Sequence, residues 1–329
     1  MSLRLVHQPV GGQAVLLEEK DRYLKLLQER FGRRFREYRR NWALAERRRY
    51  LGPFPLSLDL ALNSGCQLHC PMCPLPARPE SQKNHSLSPA LYSRFMAEAQ
   101  EFALPALTLG LASEPLLSPD PVKRVQEAVK AGIMDIRLGT NGRLLTEPLI
   151  EALIDSGLTR LEISLDAVEP ITYRAIRGGD LTALEKRIHY FLDKRAKLGT
   201  VWPLLRVSFL RLPLNEGELK PFIKRWSKTA DLIATQKPIW FPGSKLPKPP
   251  DKKIKTVPCG QPWQRLGVTH DGRIWPCCSW YGEKLLKVSA TNLPIRKIWL
   301  AKELWSLRTS LLLNKPDPEC LVCAKAGAF

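Results

Sequence analysis

Short β-rich segments alternate with amphipathic helical patterns between residues 57 and 240, and this alternation most constrains the fold. Such repeats are typical of a parallel sheet with crossover helices. Six strands are predicted, which favours an α/β fold, either a partial (β/α)6 barrel or an open doubly wound sheet. Functional side chains are expected at the C-terminal ends of the strands in both cases. The predicted strands are 57–62, 106–109, 135–139, 160–165, 204–210 and 231–235, and the predicted helices are 90–102, 122–131, 147–155, 181–198 and 216–228.

The positive charge of the chain is concentrated outside this repeat. The chain has 51 basic and 32 acidic residues, a formal net charge of +19. Residues 1–54 hold 13 basic and 6 acidic residues, and 237–258 hold 6 basic and 1 acidic. The first stretch predicts a basic helix over about 18–48, and the second predicts a Pro- and Lys-rich linker. We interpret the first as a helix packed on the main domain with a solvated basic side, with a membrane surface or nucleic acid as the alternative contact. We interpret the second as solvated linker charge, with attraction of a phosphorylated or nucleotide-linked substrate as the alternative.

The location is predicted from what the sequence lacks. No run approaches the roughly 18 apolar residues of a membrane span, and the first residues carry no signal-peptide pattern. We therefore expect a cytoplasmic protein with no transmembrane segment. Eight cysteines in a reducing compartment favour metal binding or catalysis over disulfides.

Three cysteines form the array Cys66-x3-Cys70-x2-Cys73, directly after the first predicted strand. Three thiolates can hold one metal cluster but leave a coordination position open. In a four-iron cluster, that position leaves one iron able to bind another molecule. Spacing alone also allows a zinc site completed by another Cys or His, such as His69.

The array and its position resemble the radical S-adenosylmethionine (SAM) superfamily. In that family, three thiolates hold a [4Fe-4S] cluster, SAM chelates the fourth iron, and reductive cleavage gives a 5′-deoxyadenosyl radical that abstracts a substrate hydrogen. The resemblance includes the segments 110–116, 140–142 and 173–179, with Ala112 and Ser113 in place of two glycines. It implies that the residues that contact SAM or line its site are Met72, Glu114, Asn141, Ser164, Asp166 and Arg177.

The other five cysteines lie in the last 71 residues, and four of them form the pattern Cys259-x17-Cys277 and Cys320-x2-Cys323, with Cys278 directly after Cys277. Four thiolates suit either a [4Fe-4S] cluster or a structural zinc ion. After a radical SAM core, the pattern resembles the twitch module, a shortened SPASM domain, which implies one auxiliary [4Fe-4S] cluster. The predicted organisation is a basic helical extension (1–54), a radical SAM core (55–241), a linker (242–258) and a twitch-like module (259–329).

The spacing and length resemble small twitch-containing enzymes of the butirosin-pathway inosamine dehydrogenase type, which oxidise a cyclitol alcohol to a ketone. The resemblance implies an oxidoreductase that oxidises or epimerises an alcohol carbon of a sugar, cyclitol or nucleotide-linked small molecule. A base must lie within reach of the hydroxyl, and Arg174 is our candidate, with Tyr173, Glu162 and Arg206 as others. Cys278 is either a structural thiol, the true ligand in place of Cys277, or a hydrogen-atom donor in an epimerase.

The predicted partners are a small-molecule substrate and a reducing protein such as flavodoxin or ferredoxin. Modification of a ribosomally made peptide is an alternative, although the N-terminal 54 residues predict a helix rather than a peptide-binding domain. Modification of tRNA is another, although the sequence has no homeodomain, zinc-finger or RNA-recognition signature. A non-catalytic zinc protein is the alternative from a different functional class.

Overall fold

The computed structural model describes residues 5–7, 13–77, 85–248, 250, 254, 256–279 and 285–328, with backbone only at 5–7, 13–22 and 327–328. The strands within these ranges are β1 (Leu5–His7), β2 (Gln13–Leu16), β3 (Ser57–Leu60), β4 (Ala106–Leu109), β5 (Asp135–Thr140), β6 (Arg160–Ser164), β7 (Leu204–Leu210), β8 (Leu232–Gln236), β9 (Arg265–Val268) and β10 (Ile274–Trp275).

The helices confirm most of the sequence prediction, with short differences at their ends. The region predicted as one helix over 216–228 is instead a 3-10 helix, Pro213–Glu218, followed by an α-helix. The α-helices are α1 (Leu17–Glu46), α2 (Pro89–Glu101), α3 (Pro121–Lys130), α4 (Glu147–Asp155), α5 (Pro170–Arg177), α6 (Leu181–Lys197), α7 (Leu219–Trp226), α8 (Gln261–Gln264), α9 (Ile295–Trp299), α10 (Lys302–Leu312) and α11 (Pro318–Cys323).

One continuous sheet contains all these strands, in the order β1-β2-β8-β7-β6-β5-β4-β3-β9-β10. Strands β3 to β8 are parallel, as the strand–helix alternation predicts. This is an α/β fold, and its six parallel strands agree with the partial (β/α)6 barrel predicted from the sequence. The edges were not anticipated: β2 pairs antiparallel with β8, and β9 of the C-terminal region pairs parallel with β3, with Ser57 opposite Arg265.

The two faces of the sheet differ in polarity. Leu58, Leu60, Leu107 and Leu109 are almost fully buried in the core that the helices cover, and each such leucine contributes about 1.5–3 kcal/mol of stabilisation. Alternate residues point to the opposite face, which we call the inner face. It carries charged residues at strand centres, a position that the burial of apolar residues alone does not explain.

Helix α1 covers the end of the inner face where the strands begin. The Tyr23 hydroxyl donates a 2.5 Å hydrogen bond to Asp135 on β5, and Leu27 is fully buried. Gly32 interrupts the helix with φ 58°. A guanidinium nitrogen of Arg48 then donates to the carbonyl oxygen of Leu311 at 2.8 Å. The basic extension is therefore packed on both the barrel and the C-terminal module.

Part of the segment predicted as a linker packs on the core. The backbone N–H of Lys245 donates to the carbonyl of Pro71 at 2.7 Å, and the indole N–H of Trp240 donates to the carbonyl of Leu246 at 3.1 Å. Residues 240–246 therefore lie against the loop that carries the first cysteine array. No helix in the described ranges is both long and apolar enough to cross a membrane.

Candidate active site

The first cysteine array lies in the loop after β3, at the carboxyl end of the parallel strands. Cys70 and Met72 are buried, and they pack with Leu68, Ile176 and Leu212 in a small apolar cluster that Cys66 and Cys73 also contact. The backbone N–H of Cys73 donates to the carbonyl of Cys70 at 3.0 Å. The loop thus holds three thiols beside an apolar surface, as an iron–sulfur cluster requires.

Two predicted site residues direct hydrogen-bond donors at these thiols. The side-chain amide of Asn141 lies 3.6 Å from the sulfur of Cys66, and a guanidinium nitrogen of Arg177 lies 3.9 Å from the sulfur of Cys70. Gln67 donates to the Asn141 carbonyl oxygen at 3.2 Å and so orients that amide. Donors to sulfur tune the potential of an iron–sulfur cluster, so the residues present fit such a group.

Arg177 is fixed by Asp166. Its Nε donates to the Asp166 carboxylate at 2.7 Å, and a second guanidinium nitrogen contacts the same oxygen. Asp166 is fully buried and has a left-handed φ of 63°; it also accepts from the backbone N–H of Leu210 at 2.6 Å. Burial opposes the charge of Arg177, but the Asp166 carboxylate keeps the pKa of Arg177 above its usual value. The pair therefore stays ionised beside the cysteine loop.

Glu114 connects the ends of neighbouring strands. Its carboxylate accepts hydrogen bonds from the Thr140 hydroxyl at 2.6 Å, the Asn141 backbone N–H at 2.8 Å and the Leu116 backbone N–H at 3.2 Å. Burial raises the pKa of this carboxyl, and these hydrogen bonds oppose the rise. The side chain therefore positions the turn that carries Asn141.

The segment before Glu114 keeps a glycine-like backbone without the expected glycines. Ala112 adopts a left-handed φ of 46°, a conformation that costs a non-glycine residue about 1–2 kcal/mol. Gly110 is needed because a Cβ there would lie 2.7 Å from the carbonyl oxygen of Gly139. The chain thus adopts the tight turn at β4 despite the substitution.

The remaining predicted residues take different positions. Ser164 is half-buried at the end of β6, opposite Ser208 of β7. Tyr173 is buried, whereas Arg174, the candidate base, is exposed on α5. Arg177 is on the same helix but contacts Asp166 and Cys70 instead. Of the two α5 arginines, it is Arg177 that these contacts place beside the cysteine loop.

Sequence reasoning missed several supporting residues. Asn63 donates to the Glu114 carbonyl at 2.7 Å and accepts from the Gly65 N–H at 2.8 Å. Asn215 is fully buried and donates to the carbonyls of Asp166 and Leu210 at 2.6 and 2.9 Å. Their types suit loop hydrogen bonding, but only the fold shows which backbone groups they meet.

The second group of cysteines comes from three separate segments. Cys259 precedes α8, Cys277 follows β10, and Cys320 and Cys323 lie on α11. The Cys277 thiol lies close enough to Cys259 and Cys323 to interact with both, and Cys259 also interacts with Cys320. The sulfur of Cys323 lies 3.3 Å from the Ser279 hydroxyl oxygen. The thiols of these segments therefore interact with one another, and their number suits a fully Cys-ligated cluster.

Cys278 is the chain neighbour of Cys277. Its accessible surface makes it exposed, yet burial raises the pKa of its thiol, which interacts with Arg265, Asp59 and Arg137. The same thiol also interacts with Cys277, Cys259 and Cys323 of the second group. Cys278 is therefore electrostatically connected both to the inner-face charges and to the other thiols.

Comparison with known proteins shows which families the two cysteine-containing regions match. Residues 61–204 match the radical SAM superfamily, and residues 259–324 match SPASM, an iron–sulfur cluster-binding domain; together they cover more than half of the chain. The chain is a radical SAM enzyme with a SPASM domain. Its cofactors are a [4Fe-4S] cluster with SAM, and auxiliary clusters are bound by the SPASM domain.

The curated relatives of this radical SAM enzyme include proteins named probable GTP 3′,8-cyclase. The one from Methanococcus vannielii is 29% identical over 177 residues, 54% of this chain and 57% of that protein. The one from Methanothermobacter thermautotrophicus is 32% identical over 125 residues, 38% and 40% of the two chains. The chain thus matches about half the length of the first of these relatives and less of the second.

Solved structures share the fold. BtrN in complex with AdoMet and 2-DOIA has a TM-score of 0.50 and 17% identity, covering 79% of this chain and 87% of that chain. Streptococcus suis SuiB bound to its precursor peptide SuiA has a TM-score of 0.64 and 14% identity, covering 83% and 70%. A structure of anSMEcpe with bound AdoMet has a TM-score of 0.56 and 13% identity, covering 82% and 88%. At such identities the likeness establishes the fold alone.

Proposed function

We propose that this enzyme abstracts hydrogen from an alcohol carbon of a small polar molecule, such as a sugar, cyclitol or nucleotide-linked compound, and oxidises or epimerises that carbon. The SAM-bound cluster would supply the 5′-deoxyadenosyl radical. In this proposal, Cys66, Cys70 and Cys73 hold that cluster. Arg177 and Asn141 orient the bound SAM and direct donors at the thiolates.

The observation that carries the proposal is the charged inner face between the two cysteine sites. Asp59, Arg137 and Glu162 project from β3, β5 and β6 on the same face of the sheet, and the Cys278 thiol of the C-terminal module interacts with Asp59 and Arg137. A polar, hydroxylated molecule can replace solvent there and satisfy these groups, whereas an apolar one would leave them unsatisfied.

The two outcomes require different electron balances. Loss of the carbinol hydrogen leaves a carbon radical, and loss of one electron and one proton then gives the ketone. A single auxiliary cluster on Cys259, Cys277, Cys320 and Cys323 would accept that electron. In epimerisation, the Cys278 S–H bond would break instead and return a hydrogen atom to the opposite face. The sulfur radical would then regain the thiol by taking one electron from the reducing partner protein, or from dithionite in the assay, and one proton from solvent.

The curated relatives support a nucleotide-linked compound among the candidate substrates. These relatives are named for a reaction of GTP, and the matched region includes about half of this chain. The proposal nevertheless depends on the inner face rather than on those names, because the match leaves nearly half of each protein outside the alignment.

The test uses anaerobically reconstituted holoenzyme with SAM and dithionite. We expect about eight iron and eight sulfide per chain, four for each cluster, and 5′-deoxyadenosine whose formation increases with at least one of UDP-glucose, myo-inositol, glucose or GTP. Stimulation by a peptide or by tRNA, with none by these compounds, would contradict the proposal, and so would two zinc ions per chain without SAM cleavage.

The same assay in D2O separates the two outcomes through Cys278. Its thiol exchanges with solvent, so epimerisation places deuterium at the inverted carbon, and Cys278→Ser abolishes inversion while SAM cleavage continues. Oxidation gives a ketone without such deuterium, and Cys278→Ser retains it. Ser310→Ala, on α10 and remote from the inner face, is the matched control for a small side-chain change.

A further inference from the structure

Helix α1 ends in a motif in which glycine is the usual residue. The backbone N–H of Arg49 donates to the carbonyl of Leu44 at 2.8 Å, and that of Arg48 donates to the carbonyl of Ala45 at 2.9 Å. Helices that end in this pattern commonly have glycine at the position of Arg48, because the backbone there is left-handed. Arg48 adopts a φ of 60° at this position. A non-glycine residue kept in such a conformation points to a function for its side chain.

The side chain of Arg48 connects two segments of the C-terminal module. Its guanidinium group donates to the carbonyl oxygen of Val257 at 2.5 Å and to that of Leu311 at 2.8 Å. The first segment continues directly to Cys259, and the second continues into α11, which carries two further cysteines. One arginine of the N-terminal extension thus bridges the two parts of the chain that hold most of the second group of cysteines.

The backbone of α1 lies against the same segment. Gly260 directly follows Cys259, and a Cβ at Gly260 would clash with the carbonyl oxygen of Glu46 in the last turn of α1. The family matches begin at residue 61 and cover 61–204 and 259–324. The comparisons therefore assign no role to this contact between the extension and the second cysteine group.

The bridge places a positive charge close to the second group of thiols. Val257 and Cys259 are two residues apart, so their Cα atoms are separated by at most about 7 Å. Both acceptors of Arg48 are neutral carbonyl groups, so these bonds hold the guanidinium in place without cancelling its charge. The proposed cluster would accept one electron from the substrate, which adds a negative charge to a group that is already anionic. A fixed positive charge nearby favours that change.

We propose that Arg48 is a positioning residue of the auxiliary site, and that its charge favours the reduced form of a cluster held by the second group of cysteines. This inference rests on the proposed function, since it takes that cluster to accept the electron of the substrate. At about 10 Å, with an effective dielectric constant near 20 and screening by solvent, one charge should change the reduction equilibrium about threefold to tenfold. That range corresponds to about 30–60 mV for one electron.

The test is a potentiometric titration of the holoenzyme, followed by electron paramagnetic resonance with and without SAM. The signal that SAM leaves unchanged belongs to the auxiliary cluster. Arg48→Gln should lower its potential by about 30–60 mV while about eight iron per chain remain. Arg48→Lys keeps the charge, so its reduction equilibrium should stay within about twofold of the wild type, or about 18 mV.

A neighbouring arginine is the matched control. Arg47 is exposed, so solvent screens its charge and Arg47→Gln should leave the potential unchanged. If Arg48→Gln has the wild-type potential at eight iron per chain, or if Arg47→Gln lowers the potential by the same amount, the inference is wrong. A merely structural role of Arg48 would not shift the potential of a cluster that is fully loaded.

A second variant decides the case in which Arg48→Gln does not load the auxiliary cluster. The other end of the segment is held independently, because Nε of buried Arg308 donates to the carbonyl of Pro262 at 2.9 Å, so we expect loading to continue. If Arg48→Gln nevertheless retains only about four iron, Arg48→Lys becomes the test. It keeps the charge, and a potential at least 30 mV below that of the wild type would overturn the inference.

The outcomes separate this inference from the proposed function. Equal potentials in wild type and Arg48→Gln, with oxidation of an alcohol substrate, would overturn this inference alone. A lowered potential in Arg48→Gln, with hydrogen abstraction only from a peptide, would overturn the proposed function alone. About four iron per wild-type chain, with SAM cleavage intact, would overturn both, because no auxiliary cluster would then be present.

Discussion

The two cysteine sites of this enzyme are built in opposite ways. The first uses three cysteines within eight residues of one loop, supported by Asn141 after β5 and by Arg177 at the end of α5. The second gathers four cysteines from segments that span residues 259 to 323. The first site therefore depends on the barrel for its surroundings, whereas the C-terminal module depends on its own site to join its segments. Loss of a ligand should then affect chemistry at the first site and folding at the second.

The largest expected effect tests the first half of that comparison. Cys70→Ala removes one proposed ligand of the SAM-binding cluster, so 5′-deoxyadenosine formation should fall below detection. With the one auxiliary cluster that we propose, about half of the iron and sulfide should remain. Far-ultraviolet circular dichroism should be unchanged, because the core of the barrel does not depend on the loop. A variant that loses all its iron or its secondary structure would show that the two sites are not independent.

The second site should respond in its stability. Cys323→Ser removes a proposed ligand from α11 and should weaken the connection between α11 and residues 259–279, so we expect the unfolding temperature to fall on the order of 5–10 °C. Cys278→Ser removes a thiol from the same module and should change that temperature far less. Equal effects of the two substitutions would assign Cys278 a ligand role as large as that of Cys323.

A smaller effect is expected when the positive charge of Arg177 at the first site is removed. Arg177→Gln removes the partner of buried Asp166 and the donor beside Cys70, so SAM should bind roughly 10–100-fold more weakly, as loss of a charged hydrogen bond costs about 1.5–3 kcal/mol. Isothermal titration of the holoenzyme with SAM measures this. Arg174→Gln on the same helix should leave the SAM affinity unchanged. Its effect on product formation separately tests the prediction that Arg174 is the base.

The smallest effect concerns backbone strain. Ala112→Gly relieves the left-handed conformation at φ 46°, and the gain exceeds the entropy that glycine adds to the unfolded chain by about 0.5 kcal/mol. The unfolding temperature should rise by about 1–2 °C. Ala103→Gly, at φ 49° after α2, should give a similar rise and no change in SAM affinity. A lower unfolding temperature for Ala112→Gly alone would mean that its methyl group contributes packing at the first site.

The sequence predicts the parts of this molecule that depend on local patterns. The spacing of Cys66, Cys70 and Cys73 and the strand–helix alternation are both local, and they led to the correct fold class and family. The pairing of β9 with β3 is not local, and neither is the sharing of Glu162 between Arg137 and Arg206. Both depend on register between segments, which no residue spacing encodes.

The N-terminal edge of the sheet was also not predicted from local sequence patterns. The prediction of a helix for the N-terminal region holds for α1, but it did not include the strands β1 and β2, of three and four residues. Segments this short carry too few alternating positions to reveal a strand. Strand β1 pairs with β2, and β2 pairs with β8, which lies more than 200 residues later in the chain. Tertiary contacts rather than local preference therefore define these strands.

The pairing of β3 with β9 also bears on how the chain is made. Because Ser57 lies opposite Arg265, one edge of β3 stays without its partner until most of the polypeptide has left the ribosome. Contacts between such distant segments slow folding, and an open strand edge invites association with other chains. The loop carrying the first three cysteines directly follows this edge. We therefore expect newly made protein to remain vulnerable to aggregation until β9 docks, and expression at low temperature to increase the yield of cluster-competent protein.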